Sequence, residues 1–347
     1  MIFANFVICY PKIPFMKECA VIILNWNGVE LLKQFLPTAA RYTISERADL
    51  IVADNGSSDG SVAWIRANYP QVKIMAFDEN YGFSGGYNRA IEQSGYPLTL
   101  LLNSDVEVTE GWLNPLLDYM SAHPECGALQ PKIRSFRQKD MFEYAGAAGG
   151  FLDKNGYPFC RGRLFESVEK DEGQYDTVTE VAWASGAALL VRTSAYLKVG
   201  GLDEKFFAHM EEIDLCLRIR AMGLHVMCVP SSVVYHVGGA SLAQGNPRKT
   251  YLNFRNNLLL LHKNLPRKRR GKRLLIRRLY DTLAWGMFLL KGDFKNANAI
   301  LKAHNDFRKM RREYTNEATS DVLATLPGSD KNIIIGHYIK RKNKISI

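Results

Sequence analysis

Four short apolar segments near the start of the chain alternate with helical segments, and each apolar segment ends in a cluster of polar residues. They cover residues 19–24, 49–53, 72–77 and 98–102. Continuous apolar runs bounded by turn-forming residues are typical of strands buried on both faces of a parallel sheet. The alternation therefore predicts an α/β fold with an open, mostly parallel sheet flanked by helices, whose ligands bind beyond the carboxyl ends of the strands.

Two of these polar clusters indicate a nucleotide. Asp54 follows the second predicted strand, where a carboxylate can accept hydrogen bonds from a ribose or a base edge. Asn25 ends the first strand and is expected to face the same crevice. The alternative for Asp54 is a turn-stabilising role in the segment that introduces the next helix.

A glycine-rich loop of residues 82–86 follows Asn80 and precedes a helix that we predict to begin near Arg89. Free backbone N–H groups and the positive end of a helix dipole attract phosphate, so Gly82 and Phe83 are candidates for binding a diphosphate. The alternative is that the glycines only allow a tight turn.

The segment Asn103-Ser104-Asp105 comes directly after the fourth predicted strand. A carboxylate held at a strand end is a suitable ligand for Mg²⁺ or Mn²⁺, which bridge carboxylates to substrate phosphates. His236 ends a later predicted strand and offers an imidazole nitrogen to the same ion. For both residues a purely structural role is the alternative.

Three carboxylates, Glu211, Glu212 and Asp214, lie at the start of a helix predicted over residues 211–222, which Gly223 ends. Acidic residues stabilise helix N-termini, which is one explanation. The other is that one of them is a general base toward a sugar hydroxyl. Because Asp214 and Arg218 are spaced to pair, the two glutamates are left for that role.

The remaining sequence defines the predicted domains. Residues 136–180 are irregular and glycine-rich and are interpreted as an insertion at the acceptor site. Short strands are predicted at 226–229 and 232–235. We predict an N-terminal extension (1–18, with Met16 as a candidate start), a catalytic domain (19–247, divided into a nucleotide-binding half, 19–110, and an acceptor half, 111–247) and a basic helical region (248–347).

Charge is concentrated in the last third of the chain. The net charge is +10, but residues 248–312 alone hold 19 Lys and Arg against three acidic residues, so the rest of the chain is acidic. Leu274, Leu275 and Leu279 lie beside Arg277 and Arg278, and the apolar stretch is too short to span a membrane. This pattern predicts an interfacial helix on an anionic membrane surface. The alternative is a solvated basic helix packed on the core.

Other features of the sequence predict a cytoplasmic protein that is peripheral to the membrane. No basic segment precedes the apolar residues 2–10, so no secretory signal is expected. Six scattered cysteines, several within apolar runs, are typical of reduced, buried thiols. The acidic body argues against nucleic acid as a partner. A homodimer is also among the expected assemblies.

Taken in order, these clusters resemble the inverting glycosyltransferases of family 2, which have the GT-A fold, and among them the rhamnosyltransferase-type members that build bacterial surface polysaccharides. The resemblance covers residues 20–241. It rests on these segments: Val21-Ile-Ile-Leu-Asn-Trp-Asn-Gly28, Asp54-Asn-Gly-Ser-Ser-Asp59, Asn80-x-Gly-Phe-x-x-Gly-x-Asn88, Leu102-Asn-x-Asp105, Gly200-Gly-x-Asp-Glu-x-Phe-Phe207, Glu211-Glu-x-Asp-Leu-Cys-x-Arg218 and His236-x-x-Gly-x-Ser241.

The resemblance implies transfer with inversion from a nucleotide-diphosphate sugar, of the dTDP-rhamnose or UDP-sugar type, to a saccharide or lipid-linked acceptor. It implies Mn²⁺ or Mg²⁺ held by Asp105 and His236, and Glu212 as base with Glu211 as the nearer competitor. Asn103 replaces the first Asp of the family's Asp-x-Asp motif. The implied donor contacts are Asn25, Asp54, Asn80, Gly82, Phe83, Asn88, Asn103 and Ser104.

Three other functions compete with this interpretation. A glycoside hydrolase would use two of the carboxylates but needs no nucleotide crevice. A nucleic-acid-binding protein would use the basic region. A saccharide-binding relative without catalysis would not need the carboxylate cluster. The sequence leaves open which sugar, base and acceptor are used.

Overall fold

A computed structural model describes residues 17–238, 245–315, 318, 320–341 and 344. The predicted α/β fold is confirmed: a nine-stranded sheet among these residues is flanked by helices. The strands are β1 (Cys19–Asn25), β2 (Ala48–Asp54), β3 (Lys73–Ala76), β4 (Leu98–Leu102), β5 (Val106–Val108), β6 (Cys126–Ser135), β7 (Gly150–Leu152), β8 (Pro158–Cys160), β9 (Arg163–Leu164), β10 (Ser167–Val168), β11 (Thr179–Glu180), β12 (Ala188–Arg192) and β13 (His225–His236).

Helices connect and cover these strands. They are α1 (Val29–Thr43), α2 (Ser61–Asn68), α3 (Gly82–Ser94), α4 (Asn114–Ala122), α5 (Thr193–Lys198), α6 (Glu211–Ala221), α7 (Pro247–Asn264), α8 (Arg267–Leu290), α9 (Phe294–Met310) and α10 (Val322–Thr325). A 3₁₀ turn spans Glu204–Phe206, another spans Arg311–Glu313, and a π-helical turn spans Ile335–Ile339.

The central sheet has the order β11-β13-β6-β12-β4-β1-β2-β3, and β5 pairs with β13. The strands β4, β1, β2 and β3 pair in parallel, as do β6 and β13. β12 joins the two parallel groups by pairing antiparallel to both β4 and β6. The β1–β2 register places Asn25 opposite Asp54. The carboxyl ends of the parallel strands therefore meet at one edge of the sheet, as the strand pattern predicted.

Buried side chains cover both faces of this sheet. Alternate residues of β1 belong to different hydrophobic clusters: Ala20 and Ile22 pack on one side with Tyr87, whereas Val21 and Ile23 pack on the other side. Strands covered on both faces need apolar residues at every position, which is why these segments read as continuous apolar runs. The five described cysteines are buried and free, as predicted.

Three predicted elements differ from the structure. α3 begins at Gly82 and not near Arg89, so the glycine-rich segment forms the first turns of the helix. The two short strands predicted at 226–229 and 232–235 are one strand, β13, with an irregularity in its pairing between Val229 and Val233. The irregular segment 136–180 contains a small antiparallel sheet of order β10-β9-β8-β7.

The basic C-terminal region is helical, as predicted, and it is packed into the body of the molecule. Asn256 and Asn257 on α7 are fully buried, and both donate hydrogen bonds to backbone carbonyls of the preceding region. The predicted boundary between residues 247 and 248 falls at the start of α7. The domain division itself stays a prediction.

Two predictions concern residues that the structure does not describe. The N-terminal extension, including Met16, falls there except for residues 17 and 18, and so do residues 239–244, which include Ser241. Within the described ranges, every helix is too short or too polar to cross a membrane.

Candidate active site

The ends of β1 and β2 form a polar corner. The Asn25 side chain donates from Nδ2 to Asp54 Oδ2 at 3.2 Å and to Ser57 Oγ at 3.2 Å. Asp54 Oδ1 in turn accepts from the Ser57 backbone N–H at 3.0 Å. Both Asn25 and Asp54 are almost fully buried, and Asn25 Oδ1 has no hydrogen-bond partner among the described residues. A buried polar atom without a partner is a candidate contact for a ligand donor group.

Asn55 is a site residue that the sequence analysis missed. Its Nδ2 donates to Asn80 Oδ1 at 2.9 Å and to the Gly82 carbonyl at 3.0 Å, while its Oδ1 accepts from the Tyr81 N–H at 3.0 Å. Asn80 Oδ1 also accepts from the Gly82 N–H at 2.8 Å. Asn55 and Asn80 therefore fix the entry to α3 beside the polar corner. The adjacency of Asn55 to Asp54 was the one available signal.

The first turns of α3 pack closely beside this corner. Gly86 lies so close to β1 that an added Cβ would be 2.6 Å from Leu24 Cδ1 and 3.1 Å from Asn55 Nδ2. Ser84 Oγ is buried without a hydrogen-bond partner in the described part of the chain. A helix N-terminus with an orphaned hydroxyl is suited to an anionic group.

Asn88 is assigned differently from the expectation that it contacts the nucleotide. Its Nδ2 donates to the Leu202 carbonyl at 2.9 Å, and its Oδ1 accepts from the Tyr196 hydroxyl at 2.6 Å and from the Leu202 N–H at 2.9 Å. An added Cβ at Gly201 would lie 2.4 Å from Asn88 Oδ1. The Asn88 amide therefore braces the turn at residues 200–202, which leaves it unsuited to bind a ligand.

Asp105 and His236 come together although 131 positions separate them in the chain. His236 Nε2 lies 3.1 Å from Asp105 Oδ1, because β5 pairs with β13 and aligns Val106 with His236. On the other side of the ring, Nδ1 lies 3.5 Å from Glu143 Oε2. All three side chains are nearly buried. Glu143 was missed by the sequence analysis, and no local pattern marks it.

The two carboxylates dominate the electrostatics of His236. Burial alone would favour the neutral imidazole, but the contacts with Asp105 and Glu143 outweigh it and raise the pKa of His236 to about 10. A divalent cation would replace the proton on Nε2, and the donors then fit Mn²⁺, since one carboxylate oxygen and one imidazole nitrogen suit this ion. No group of three or more such side chains forms a complete protein cage within the described ranges.

Asn103 and Ser104 connect the Asp105 corner to the middle of the sheet. Both side chains are half-buried, and the Asn103 N–H donates to the Ala187 carbonyl at 3.0 Å. Ala187 follows Gly186, which lies between two candidate site residues. An added Cβ at Gly186 would lie 3.7 Å from Glu212 Cβ and 3.9 Å from the tip of Phe83. Gly186 therefore adjoins the side chains of Glu212, the base candidate, and of Phe83, which belongs to the first turn of α3.

Glu211 and Glu212 occupy the first turn of α6 in an apolar setting. Burial raises the pKa of Glu212 to about 7, and burial together with the Glu212 charge raises the pKa of Glu211 well above its ordinary value. Oε2 of each side chain has no hydrogen-bond partner among the described residues. Glu211 is buried, whereas Glu212 is partly exposed beside Gly186. A carboxyl with a pKa near neutrality is suited to accept a proton.

Asp214, also named as a catalytic candidate, has a structural position. It is fully buried, and Oδ2 contacts Arg218 Nε and Lys263 Nζ, both at 2.8 Å. Burial would raise the pKa of Asp214, but Arg218 and Lys263 hold it below its ordinary value. The predicted pair with Arg218 is confirmed. Because the Asp214 carboxylate is fully buried and paired with two cations, it cannot reach an acceptor.

Known proteins resemble this chain in sequence and in fold. The family model described as Glycosyl transferase family 2 matches residues 20–168. An N-acetylglucosaminyl-diphospho-decaprenol L-rhamnosyltransferase of Mycobacterium tuberculosis is 32% identical over 238 residues, which cover 62% of this chain and 75% of the relative. The rhamnosyltransferase WbbL of Escherichia coli K12 is 31% identical over 137 residues, which cover 40% of this chain and 51% of the relative.

Solved structures share the fold. GalNAc-T7 with UDP, GalNAc and Mn²⁺ superposes with a TM-score of 0.61 at 16% identity, covering 92% of this chain and 58% of that one. Residues 1–349 of S. aureus TarS in complex with UDP-GlcNAc superpose with a TM-score of 0.57 at 15% identity, covering 90% of this chain and 84% of that one. At these identities the likeness concerns the arrangement of strands and helices.

Proposed function

The chain belongs to glycosyl transferase family 2, it is a glycosyltransferase, and we propose that it moves a sugar with inversion from a nucleotide-diphosphate sugar to a lipid-linked saccharide. The M. tuberculosis relative, a rhamnosyltransferase named for a diphospho-decaprenol acceptor, supports a rhamnosyl donor and a sugar-diphospho-lipid acceptor. One observation supports the assignment of roles: Gly186 adjoins the side chains of both Glu212 and Phe83, so the proposed base and a residue of the first turn of α3 meet at one glycine.

The donor is bound by the ends of the first strands. Asn25 and Asp54 contact the nucleoside, because their buried polar atoms converge at one corner. The start of α3 at Phe83 contacts the diphosphate in this proposal, whereas the Gly82 N–H is already bonded to Asn80 Oδ1. Asn103 and Ser104 line the approach from β4. Asn80 acts by fixing the start of α3. Asn88 is no longer among the proposed donor contacts.

Mn²⁺ or Mg²⁺ is the proposed cofactor, held by Asp105 and His236. Bound there, the ion would neutralise negative charge on the diphosphate as it leaves. Glu143 lies 3.5 Å from His236 Nδ1 without a hydrogen bond among the described residues, and in this proposal its charge orients the ring. Because only two protein ligands are at hand in the described residues, the donor's phosphates complete the coordination in this proposal.

Glu212 is the proposed base. The acceptor hydroxyl gives its proton to the Glu212 carboxylate as its oxygen forms a bond to the anomeric carbon. The bond from that carbon to the diphosphate oxygen breaks on the opposite face, and the diphosphate leaves with the bonding electrons. Glu211 is the less favoured choice, because it is more deeply buried and its pKa is raised further by the neighbouring charge.

A panel of nucleotide sugars, each assayed with and without Mn²⁺, tests this function. We expect thermal stabilisation by one donor class in the presence of Mn²⁺, and transfer to a sugar-diphospho-lipid acceptor. Stabilisation by no member of the panel would contradict the assignment. The relatives do not favour the glycoside hydrolase, nucleic-acid-binding and non-catalytic alternatives.

We also propose that α8 docks on an anionic membrane surface. Its outer face bears large apolar side chains whose exposure ranges from 45% at Met287 to 90% at Leu290. The cations Lys268 and Lys272 precede them on the same face at helical spacing. This face includes Lys268, Lys272, Leu275, Leu279, Leu283, Met287 and Leu290, and we call it the α8 face.

Charge complementarity favours an anionic membrane over a second copy of the chain as the partner of the α8 face. Two copies of the chain joined through the α8 face would bring like charges together, whereas an anionic bilayer neutralises the lysines and buries the leucines. Arg277 was expected to belong to this face, but it is buried and pairs with Asp281 at 2.7 Å. The exposed Arg267 and Arg278 keep the helix basic.

A further inference from the structure

The loop that leads into Glu211 has an unusual backbone. Phe207, His209 and Met210 have φ angles of 67°, 68° and 74°, in the left-handed region that side chains other than glycine rarely adopt. Such conformations persist when contacts from elsewhere in the fold fix them. Met210 is also the N-cap position of α6, so the loop sets the direction from which the helix and its glutamates start.

Asn256 on α7 supplies those contacts. It is fully buried, and its Nδ2 lies within hydrogen-bond distance of three loop carbonyls: Phe206 at 2.9 Å, Ala208 at 2.8 Å and His209 at 2.7 Å. Arg255 Nε donates to Asn256 Oδ1 at 2.9 Å and fixes the orientation of the amide. Arg255 Nη2 adds a bond of 2.8 Å to the Phe206 carbonyl.

The same helix also holds the far side of the first turn of α6. Asn264 Nδ2 donates to Asp214 Oδ1 at 2.8 Å, and Lys263 contacts Asp214 Oδ2 at the same distance. The segment from Phe206 to Asp214 is therefore attached to α7 at both ends, with Glu211 and Glu212 between. Since Glu212 is three residues beyond His209, a shift of the loop would move its carboxyl relative to Gly186.

We propose that Asn256 is a positioning residue for sugar transfer, whose amide holds the 206–209 loop and thereby sets the Glu212 carboxyl against the acceptor. The inference rests on the proposed function of Glu212. The family model matched residues 20–168, so neither α6 nor α7 lies in the matched part. The basic C-terminal region thus contributes to the catalytic site itself.

The test compares Asn256→Ala with the matched control Asn296→Ala. Asn296 is also buried, and its amide donates to Gly245 at 3.0 Å, away from the loop. We expect kcat of Asn256→Ala to fall on the order of 10- to 100-fold while KM for the donor changes less than about twofold. The control should keep its kcat when both variants are assayed well below their unfolding temperatures.

Hydrogen exchange gives a readout that does not depend on activity. In Asn256→Ala, amides of residues 207–212 should exchange faster than in the wild type, and in the control they should not. Unchanged exchange, or equal losses of kcat in the two variants, would overturn the proposal. If Asn256→Ala does not fold, Asn256→Ser retains one donor and should give an intermediate change in both measurements.

The two proposals fail in different ways. If the wild type transfers no sugar from any donor, the proposed function fails, while faster exchange in Asn256→Ala still supports the loop contact. If the wild type transfers sugar and Asn256→Ala does so at the same rate despite a released loop, the positioning role alone is wrong.

Discussion

Asn25 Nδ2 donates to Asp54 Oδ2 at 3.2 Å across the paired ends of β1 and β2. The two side chains are 29 positions apart in the chain and lie together because the parallel register aligns the strand ends. This contact orients the carboxylate, whose other oxygen is held by the Ser57 N–H. A preoriented carboxylate binds a ligand without first losing side-chain freedom.

Asp54→Ala should therefore weaken nucleotide binding by about 10- to 100-fold, since a hydrogen bond to a charged group contributes roughly 1.5–3 kcal/mol. Asp49→Ala is the control, because Asp49 lies on the same strand and pairs with Lys17 and Lys73 away from the strand end. Isothermal titration with the nucleoside diphosphate measures the difference. Equal affinities for the two variants would remove Asp54 from the donor site.

Glu143→Gln should lower Mn²⁺ affinity by about 10- to 100-fold, the usual effect of losing a carboxylate that orients a metal-binding histidine. The variant keeps the shape of the side chain and removes the charge 3.5 Å from His236 Nδ1. Electron paramagnetic resonance of bound Mn²⁺ gives the affinity without an activity assay. Glu169→Gln is the control, a buried glutamate of the same segment that contacts Tyr175. Unchanged Mn²⁺ binding in Glu143→Gln would show that Glu143 does not orient His236 for the metal.

Glu212→Gln should reduce kcat by about 10²- to 10⁴-fold, the range expected when a general base is removed, and leave donor affinity nearly unchanged. Glu211→Gln decides between the neighbours, since both carboxyl groups are buried at the start of the same helix. A larger loss in Glu211→Gln than in Glu212→Gln would exchange the two roles. The measurement is single-turnover transfer with saturating donor.

The pH dependence follows from the raised pKa of Glu212, which burial brings to about 7. A base must be ionised, so kcat/KM for the acceptor should fall about tenfold per pH unit below about pH 7 and be level above it. An exposed glutamate would keep the rate level to about pH 5. A rate that stays flat between about pH 5 and pH 7 would show that the base has an ordinary pKa and would contradict the raised pKa of Glu212.

The same pKa has a consequence for stability, with a definite sign. Between the unfolded pKa of 4.5 and the folded value of about 7, the folded chain binds more protons at Glu212 than the unfolded chain. The contribution of this group to the free energy of unfolding therefore falls as pH rises through that window. Glu212→Gln lacks this loss, so its stability relative to the wild type should increase from about pH 5 to about pH 8 in urea titrations. A stability difference that stays constant with pH would show that folding does not raise the pKa of the Glu212 carboxyl.

Local pattern was sufficient to predict the parallel half of the sheet, because strands covered on both faces need apolar residues throughout. It failed at α3, because the glycines suggested a loop. In the structure Gly86 lies within the helix, and its close packing against Leu24 admits no larger residue. Asn88 shows a second limit. Its partners, Tyr196 and Leu202, are more than 100 positions away, so the fold alone reveals that its amide is occupied.

The same reasoning explains why Glu143 and Asn256 were missed. Glu143 lies in an irregular segment, and its partner His236 is reached through the pairing of β6 with β13. Asn256 lies in a helix that the sequence marked only as basic. By contrast, the i,i+4 spacing of Arg277 and Asp281 was visible in the sequence, but their burial was not, and this removed Arg277 from the membrane-facing set.

The α8 face gives the last prediction. The wild type should float with liposomes that contain anionic lipid and remain unbound with neutral liposomes, since apolar burial and charge attraction act together. Leu279→Glu/Leu283→Glu places two carboxylates among exposed leucines and should abolish flotation without a loss of folding stability, because neither side chain is buried.

The control Arg308→Glu/Arg311→Glu makes a larger change in net charge than the leucine variant, at exposed positions outside the α8 face. If the α8 face is the docking surface, this control should still float, whereas a surface that acts by overall charge alone would lose binding in both variants. Transfer to a water-soluble acceptor should be unchanged in the leucine variant, since α8 lies outside the proposed catalytic residues. Flotation of the leucine variant at the wild-type level would remove α8 as the membrane contact.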